Sequence, residues 1–294
     1  MVFVNIDLFS QIKNKLPEMS KGHKSIAGYI LEHYDKAAFM TAAKLGATVG
    51  VSESTVVRMA TELGFDGYPA LQRALQDVMR NKLTAVQRID VTSDQIGDSD
   101  IMEKVLNLDI ERIRKTLEES SKEDFNSCVD KIMNSKNIYI IGARSAASLA
   151  TFIKYYFNLI FPNVKLVTAS TASEMFEQIL RIDHNDVIIG ISFPRYSNQT
   201  VTALRYAKTH GAKVIAITDS KSSPLVPYSD NVLIARSDMA SFVDSLVAPL
   251  SLINALIVAV SIRARDRVTE TFEKLETIWD EYEVYSKTND TDKE

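Results

Sequence analysis

Two segments in the second half of the chain bring hydroxyl and guanidinium groups together. The first begins at Gly142 and contains Arg144, and the second runs from Ser192 to Thr200 with the sequence SFPRYSNQT. Each follows a short apolar run and precedes a stretch of helical periodicity, so backbone N–H groups at a helix start accompany these side chains. Hydroxyls, backbone N–H groups and arginine form a donor set that suits a phosphate group. The side chains predicted for this anion site are Ser145, Ser192, Arg195, Ser197 and Thr200.

The serines of these segments also have purely structural explanations. An N-cap of the following helix is enough to explain Ser197, and a turn at a strand end is enough to explain Ser192. Neither segment is a nucleotide-binding motif, because G-x-G-x-x-G requires glycine where Arg144 and Ala147 stand, and G-K-[ST] occurs nowhere in the chain. Ligands of open α/β sheets bind at the carboxyl ends of the strands, so the placement of both segments favours a ligand site.

Acid–base chemistry on a bound ligand needs a general base, for which the chain offers three candidates. Glu174 and Glu177 lie three residues apart, which an exposed helix face explains, and His184 lies in a turn before an apolar run, away from the hydroxyl-rich segments. Cys128 is the single cysteine, and the spacing of methionines and histidines indicates no metal site. The sequence therefore predicts no catalytic residue, no metal and no cofactor.

A second polar cluster lies in the first part of the chain, between two stretches of helical periodicity. The segment 41–64 contains one helix, a tight turn at Gly50 and a second helix with a polar first turn, which is the pattern of a helix-turn-helix. Short hydroxyl side chains let the second helix start close to a DNA duplex, and Arg58 can reach a phosphate or a guanine. The predicted DNA-contact residues are Ser52, Glu53, Ser54, Thr55 and Arg58.

The charge distribution is compatible with this interpretation. Residues 10–88 carry eleven basic and seven acidic side chains, whereas the whole chain has a net charge of -4, so the basic part coincides with the helix-turn-helix pattern. The alternatives are ordinary surface scatter, a Ser52 that only caps a helix, and a solvated Arg58. The apolar residues of the segment assigned partly to packing are Val51, Val56, Val57 and Met59.

The hydrophobic pattern predicts the elements that position these residues. Residues 1–88 form short helices without a convincing strand, and Pro69 fits the first turn of the last one. The polar segment 89–98 is predicted as a linker, followed by a helix that Ser99 caps and by a second helix that begins near Ser121. The predicted apolar face of the helix after Ser99 consists of Ile101, Val105, Leu108 and Leu117.

From Asn137 onward, short apolar runs alternate with helical stretches, which is typical of a parallel sheet covered on both faces. The predicted strands are 138–141, 164–167, 187–191, 214–217 and 232–234. The fold class is therefore an all-α helix-turn-helix N-terminal domain plus an α/β C-terminal domain with a five-stranded parallel doubly wound sheet. The predicted divisions are 1–88 for the helix-turn-helix domain, 89–122 for a linker and connecting helix, 123–265 for the α/β domain, and 266–294 for a C-terminal helix and polar tail.

The composition excludes several classes of protein. Hydrophobic residues make up 46% of the 294 residues and charged residues 24%, which excludes a disordered chain and a collagen-like repeat. A single cysteine excludes a disulfide scaffold and fits a reducing, cytoplasmic compartment. The most apolar stretch, 246–260, is too short to span a bilayer and contains Pro249 and Asn254, so it is predicted as a buried helix and no membrane partner is expected.

The chain resembles one known family over about residues 10–265. The resemblance rests on the string VSESTVVR at Val51–Arg58, on LGF at Leu63–Phe65 and on the following Gly67-Tyr68, and it is to the RpiR/MurR family of bacterial transcriptional regulators. In that family a helix-turn-helix head precedes a sugar-isomerase (SIS) domain that binds phosphosugars. The resemblance implies a double-stranded DNA operator and a phosphosugar effector as partners, with 123–265 as the SIS domain.

The hydroxyl-rich segments depart from the pattern of that family. A SIS domain typically shows S-x-S-G-x-T in the second segment; residues 197–200 fit S-G-x-T with asparagine for glycine, but three extra residues follow Ser192. In the first segment, where the family often has G-x-G-x-S, Arg144 stands at the second glycine and Ser145 lies one position before the serine. The phosphate-binding role that the resemblance implies therefore falls mainly on the second segment.

The predicted function is that of a DNA-binding transcriptional regulator of sugar-metabolism genes, whose operator affinity changes when a phosphosugar binds. The alternatives are a phosphosugar isomerase or other SIS-domain enzyme with a helical appendage, and a phosphosugar-binding adaptor without a DNA role. Two heads on two half-sites predict a homodimer or a homotetramer. An apolar stripe in the tail is a candidate partner surface or packs on its own domain: Val268, Phe272, Leu275 and Trp279.

Overall fold

The structure, a computed structural model, describes residues 8–82, 89, 100–238 and 243–285. The chain divides into two compact units, Met1–Val105 with Met239–Asp244 and Leu106–Asp238 with Ser245–Glu294. Ser99 and the predicted linker, apart from Ile89, lie outside the described residues.

Helices make up the described part of the first unit, as the sequence predicted. They are α1 (Leu8–Lys15), α2 (Lys21–Glu32), α3 (Tyr34–Ala37), α4 (Ala42–Val49), α5 (Glu53–Glu62) and α6 (Gly67–Lys82), with a 3-10 turn at Leu16–Glu18. The hydroxyls of Ser20, Thr41 and Ser52 accept backbone N–H groups at the starts of α2, α4 and α5, which sets where these helices begin. Their apolar faces form one core that includes Ile26, Leu45 and Met59.

The second unit is a parallel α/β sheet with helices on both faces. Its elements are α7 (Ile101–Glu119), α8 (Lys122–Met133), β1 (Ile138–Gly142), α9 (Ala146–Asn158), β2 (Val164–Val167), α10 (Ala172–Ile179), β3 (Val187–Ile191), α11 (Asn198–Thr209), β4 (Lys213–Thr218), a 3-10 turn (Val226–Tyr228), β5 (Asn231–Ile234), α12 (Val247–Arg263) and α13 (Arg265–Glu281). The strand order is β2-β1-β3-β4-β5, and all four pairings are parallel. Two apolar clusters flank the sheet, one on each face. The predicted doubly wound sheet is confirmed.

The predicted apolar face of α7 is wrong. Ile101, Leu108 and Leu117 are exposed, whereas the residues that α7 buries are polar or charged. Helical periodicity finds an apolar stripe, but the buried side of α7 is held by hydrogen bonds of its polar residues with Arg236 and Ser245, so the periodicity does not identify that side. The buried residues of α7 are Asp109, Arg112 and Thr116.

The last two helices differ in their packing. The apolar helix α12 lies largely in the core, as predicted for residues 246–260, with Pro249 in its first turn. In α13 no residue is buried, and only Val268 of the predicted stripe packs against the core. Within the described residues, no single helix has the length and apolarity to cross a membrane, although the pair α12 and α13, bent by 93°, meets that criterion jointly.

Candidate functional site

The sheet topology brings the two hydroxyl-rich segments together at one edge. The chain reverses its direction of winding between β1 and β3, which are neighbours in the sheet. Gly142 at the end of β1 pairs with Ile191 at the end of β3, so the loops after these strands leave the sheet side by side. Open α/β sheets bind ligands at such a switch point, beyond the carboxyl ends of the strands.

The first loop is tightly folded around Gly142. A Cβ atom on this residue would lie 2.5 Å from the carbonyl oxygen of Ala146, so only glycine fits there. Arg144 has a left-handed backbone with φ of 58°, which is uncommon for a residue other than glycine. Ser145 is exposed and occupies the position before α9, but its hydroxyl makes no capping hydrogen bond. The first loop therefore supplies the guanidinium of Arg144 and the start of α9, whose backbone N–H groups are not capped by the Ser145 side chain.

The second loop folds back on itself through two serines. The Ser192 hydroxyl is buried and accepts the backbone N–H of Ser197 at 3.0 Å, and the Ser197 hydroxyl accepts the N–H of Thr200 at 3.4 Å as the N-cap of α11. Both hydroxyls act as acceptors in these bonds, so their own hydrogens remain available to an anion. Between them, Arg195 also has a left-handed backbone, with φ of 62°.

Thr200 carries a buried hydroxyl for which the described residues offer no hydrogen-bond partner. Its side chain is fully buried, and its Oγ1 atom is one of the buried polar atoms without a hydrogen-bond partner among the described residues. Leaving a buried hydroxyl unpaired costs about 1–3 kcal/mol, so such an atom calls for a ligand or an ordered water. It lies in the first turn of α11, three residues after the cap. The predicted residues Ser192, Ser197 and Thr200 are thus brought together, with Arg195 between them.

The structure adds residues from the loop after β4 that sequence reasoning missed. Thr218 donates its hydroxyl to the Ser192 carbonyl oxygen at 2.8 Å, and the Tyr196 hydroxyl donates to Oδ1 of Asp219 at 2.8 Å. A carboxylate at this edge suits the hydroxyls of a sugar rather than its phosphate. The signal was present in the string TDSKSS after the fourth apolar run, which has the same polar character as the two segments that were identified.

The candidate general bases have structural roles or lie apart. Glu174 completes a capping box with Thr171 at the start of α10, and Glu177 accepts the Ser173 hydroxyl at 3.1 Å. His184 lies in the turn before β3, at the amino end of the strand. Within the described ranges no group of three histidine, cysteine or acidic side chains could hold a metal ion.

The single cysteine, Cys128, lacks the features of a reactive thiol. Cys128 is fully buried in α8, and burial raises the pKa of its thiol to about 12. Reactive cysteines have a lowered pKa and some exposure, so Cys128 has neither property of a nucleophile.

The helix-turn-helix pattern of the first unit is present as α4, a turn and α5. Gly50 ends α4 with φ of 74°, a left-handed conformation that glycine adopts without a steric penalty. Ser52 then caps α5, and its hydroxyl lies 2.9 Å from that of Ser54 and 2.8 Å from that of Thr55. Three hydroxyls therefore gather at the positive end of α5, where a phosphate or a base edge can be bound.

The exposed side of α5 carries most of the predicted contact residues. Glu53, Ser54 and Arg58 are exposed, and the Arg58 Nε donates to the Ser54 carbonyl oxygen at 3.2 Å, which holds the guanidinium against the first turn. Val57 is 37% exposed, whereas Val56 is fully buried. Val57, which was assigned partly to packing, therefore keeps an exposed part beside Arg58 that offers an apolar contact, such as one with a thymine methyl group.

The start of α2 lies beside the start of α5, which sequence reasoning also missed. A Cβ atom on Gly22 would lie 3.4 Å from the Cγ2 atom of Thr55, so the two helix starts are in contact. Ser20 caps α2, and Lys21 follows it as an exposed cation. A second helix start with a lysine next to α5 adds donors of the kind that bind phosphates.

Comparisons with known proteins match both units. The family model described as "Helix-turn-helix domain, rpiR family" matches residues 6–82, and the model described as "SIS domain" matches residues 131–259. An uncharacterised HTH-type transcriptional regulator of Clostridium perfringens is 27% identical over 76% of this chain and 79% of its own length. The regulator HexR of Pseudomonas aeruginosa is 24% identical over 87% of this chain and 90% of its own length.

Two solved structures share the fold. The sugar isomerase domain of an RpiR transcription factor from Sphaerobacter thermophilus has 26% identity and a TM-score of 0.56, and the match covers 59% of this chain and 97% of that domain. The NanR protein of Vibrio vulnificus, complexed with ManNAc-6P, has 20% identity and a TM-score of 0.57, with coverage of 92% and 98%. The order of a helical head and an α/β domain is therefore shared along most of the chain.

Proposed function

Because this chain belongs to the rpiR family of helix-turn-helix proteins and carries a SIS domain, we propose that it is a transcriptional regulator whose operator affinity depends on a bound phosphosugar. Relatives along most of its length are named as transcriptional regulators, and the structure of one protein with the same fold contains a sugar phosphate. In this chain the proposal is carried by one observation: the buried, unpartnered hydroxyl of Thr200 in the first turn of α11.

In the proposed complex, the phosphate lies at the start of α11. Thr200 Oγ1 donates the hydrogen bond that it lacks in the described structure, and Ser192 and Ser197 add their free O–H groups. Arg195 supplies positive charge, and Asp219, already bonded to Tyr196 at 2.8 Å, accepts from the sugar hydroxyls. Ser145 is proposed as a further contact from the first loop.

A thermal-shift screen of sugar phosphates on the full chain tests this site. A ligand that binds only the folded protein raises the melting temperature by mass action, so we expect at least one phosphosugar to raise it. The unphosphorylated form of the same sugar is the matched control and is expected to have no effect. A screen in which no phosphorylated sugar raises the melting temperature contradicts the proposal.

The first unit is proposed to bind the operator through α5. Ser52, Glu53, Ser54, Thr55 and Arg58 are the proposed contact residues, and several of them lie at the exposed, hydroxyl-rich start of the helix. A mobility-shift assay with the DNA upstream of the chain's own gene separates a regulator from an adaptor without a DNA role. A coupled turnover assay with sugar 6-phosphates separates a regulator from an isomerase. Isomerisation needs a general base, and none of the three candidate bases lies among the described residues of the proposed site.

The proposal also includes the oligomeric state, the domain divisions and the location of the protein. We infer a homodimer or homotetramer, because helix-turn-helix proteins use two heads on two half-sites. The domain divisions at residues 88, 122 and 265 and the cytoplasmic location also belong to the proposal.

A further inference from the structure

The carboxyl ends of three neighbouring strands connect the proposed effector site to the segment after β5. The Thr218 hydroxyl at the end of β4 donates to the Ser192 carbonyl oxygen at 2.8 Å. The backbone N–H of Ala235, the first residue after β5, donates to the Thr218 carbonyl oxygen, also at 2.8 Å. All three residues are buried, and close-packed interiors transmit strain. A displacement of Ser192 therefore acts on the backbone at residue 235.

Helix α7 is fastened to the residues that follow Ala235. The backbone N–H of Arg236 donates to the Thr116 hydroxyl oxygen at 2.9 Å, and the Ser245 hydroxyl donates to Oδ1 of Asp109 at 2.7 Å. Asp109 and Thr116 are both buried and lie about two helical turns apart, so the two bonds hold the same side of α7. These two hydrogen bonds are called the latch below.

The attachment of α7 to the SIS domain is polar and does not involve the apolar core. In the described part of the chain, no side chain of α7 belongs to either of the apolar clusters that flank the sheet. The residues that the helix buries are Asp109, Arg112 and Thr116. An element with few buried apolar contacts opens at a lower free energy than the core does. Helix α7 can therefore shift while the sheet and its core keep their structure.

Helix α7 also spans the division between the two units. Residues 101–105 belong to the unit that contains α5, whereas residues 106–119 belong to the unit that contains the effector site, and all of them form one continuous helix. Because the backbone hydrogen bonds of a helix link each turn to the next, a shift of the part that the latch holds moves the whole helix.

We propose that the phosphosugar sets the state of the latch and that α7 carries this state from the effector site to the first unit. The inference rests on the proposed function and names the route of its regulation. An anion at the start of α11 displaces the Ser192 loop, the bonded strand ends pass the displacement to Arg236, and its bond to Thr116 changes. Thr116 and Asp109 are positioning residues, since neither is a proposed contact of the sugar or of DNA.

Hydrogen exchange of the full chain, measured without a phosphosugar, tests whether the latch holds α7. Thr116→Val keeps the size of the side chain and removes the acceptor of the Arg236 N–H. We expect the amides of α7 to exchange roughly fivefold faster, as the loss of one hydrogen bond predicts. Thr116→Ser keeps the hydroxyl and is expected to restore the wild-type rate. Exchange of α7 at the wild-type rate in Thr116→Val would overturn the latch.

Operator titrations with and without a phosphosugar test whether the latch carries the signal. The probe is the sugar 6-phosphate that raises the melting temperature of the wild-type chain most. A typical coupling changes operator affinity roughly 5–150-fold, and we expect a change below about twofold in Thr116→Val. The melting-temperature shift of this variant should equal that of the wild type, because its effector site is intact. Thr116→Ser is expected to keep the response.

Two further variants make this result specific. Ser245→Ala removes the donor of the second latch bond and is expected to weaken the response in the same way. Thr277→Val is the matched control, because Thr277 is an exposed threonine on α13 whose hydroxyl donates to the Glu273 carbonyl oxygen of its own helix. We expect Thr277→Val to respond as the wild type does.

The outcomes separate this inference from the proposed function. A wild-type chain whose operator affinity does not respond to any sugar 6-phosphate would overturn both. A wild type that responds, together with a Thr116→Val variant that responds equally, would overturn the latch alone. A Thr116→Val variant that also loses the melting-temperature shift would overturn the latch as well, because Thr116 would then be needed for the effector site itself.

Discussion

Two arginines in the loops of the proposed effector site hold backbone conformations that favour glycine. Arg144 and Arg195 have φ of 58° and 62°, one in each of the loops that follow β1 and β3. A left-handed conformation costs a residue with a side chain about 1 kcal/mol or more relative to glycine. Glycine would relieve this cost but would remove the positive charge. The presence of arginine at both positions is explained if the guanidinium groups serve the anion that the loops bind.

Replacing Arg195 by glycine or by alanine separates strain from charge. Both variants lose the guanidinium, so we expect both to bind a phosphosugar more weakly. Because glycine adopts a φ near 62° without strain, we expect Arg195→Gly to unfold with a free energy about 1 kcal/mol above that of Arg195→Ala. Thermal unfolding with and without the phosphosugar measures both effects. Wild-type affinity in both variants would exclude Arg195 from the site.

Replacing Thr200 by valine tests the unpaired hydroxyl. Valine keeps the volume of the side chain and removes the buried Oγ1 that has no partner in the described structure. We expect the ligand-free protein to be as stable as the wild type, or more stable by about 1 kcal/mol, because an unsatisfied polar group is lost. We expect the melting-temperature shift by the phosphosugar to shrink. Thr202→Val on the same helix is the control, and an equal shift in both variants would contradict the assignment.

At the scale of elements, α5 combines a structural role with its proposed recognition role in one turn. Ser52 fixes where the helix begins, and Arg58 is held against that turn by its bond to the Ser54 carbonyl oxygen. We expect Arg58→Ala to leave the fold intact and to weaken operator binding by about 1–3 kcal/mol if Arg58 reads a guanine. If Arg58 contacts only a phosphate, binding to all sequences falls alike and the dependence on salt decreases.

Titrations of Arg58→Ala on operator and on random DNA, each at two salt concentrations, distinguish these cases. Arg265→Ala, which removes an exposed arginine at the start of α13 in the second unit, serves as the matched control. Unchanged affinity of Arg58→Ala for both DNAs would remove this residue from the interface.

Elements defined by local signals were predictable from the sequence. Gly50 and Ser52 mark the turn because a left-handed glycine and a hydroxyl cap act on their immediate neighbours, and continuous valine and isoleucine runs mark the strands. The capping role of Glu174 was also readable, since threonine three residues before glutamate is the capping-box pattern.

Features that depend on distant partners were not predictable in this way. The buried side of α7 is polar because Asp109 meets Ser245, 136 residues away in the chain. The proposed contribution of Asp219 to effector binding depends on its bond to Tyr196, which only the sheet order brings near. Within the site, the residues of one loop were identified together, whereas the third loop was missed.

At the scale of the whole molecule, a phosphosugar changes operator affinity only if it binds with different affinity to two arrangements of the heads, one that fits the operator and one that does not. The effector site and α5 belong to different units of the chain. A typical coupling of about 1–3 kcal/mol corresponds to a change of roughly 5–150-fold in affinity. We expect release of the operator, and the coupling is reciprocal, so operator DNA weakens phosphosugar binding by the same factor.

The combined variant Ser197→Ala with Thr200→Val tests this coupling. It removes two of the proposed phosphate donors and leaves α5 unchanged, so we expect it to bind the operator as the wild type does and to ignore the phosphosugar. Two operator titrations, with and without a saturating phosphosugar, measure the response. Arg58→Ala is the complementary control, because it should lose operator affinity and still show the full melting-temperature shift with the phosphosugar. A combined variant that responds as fully as the wild type would place the phosphate outside the start of α11. In that case Ser197 and Thr200 would contribute nothing to the change in operator affinity that the phosphosugar causes.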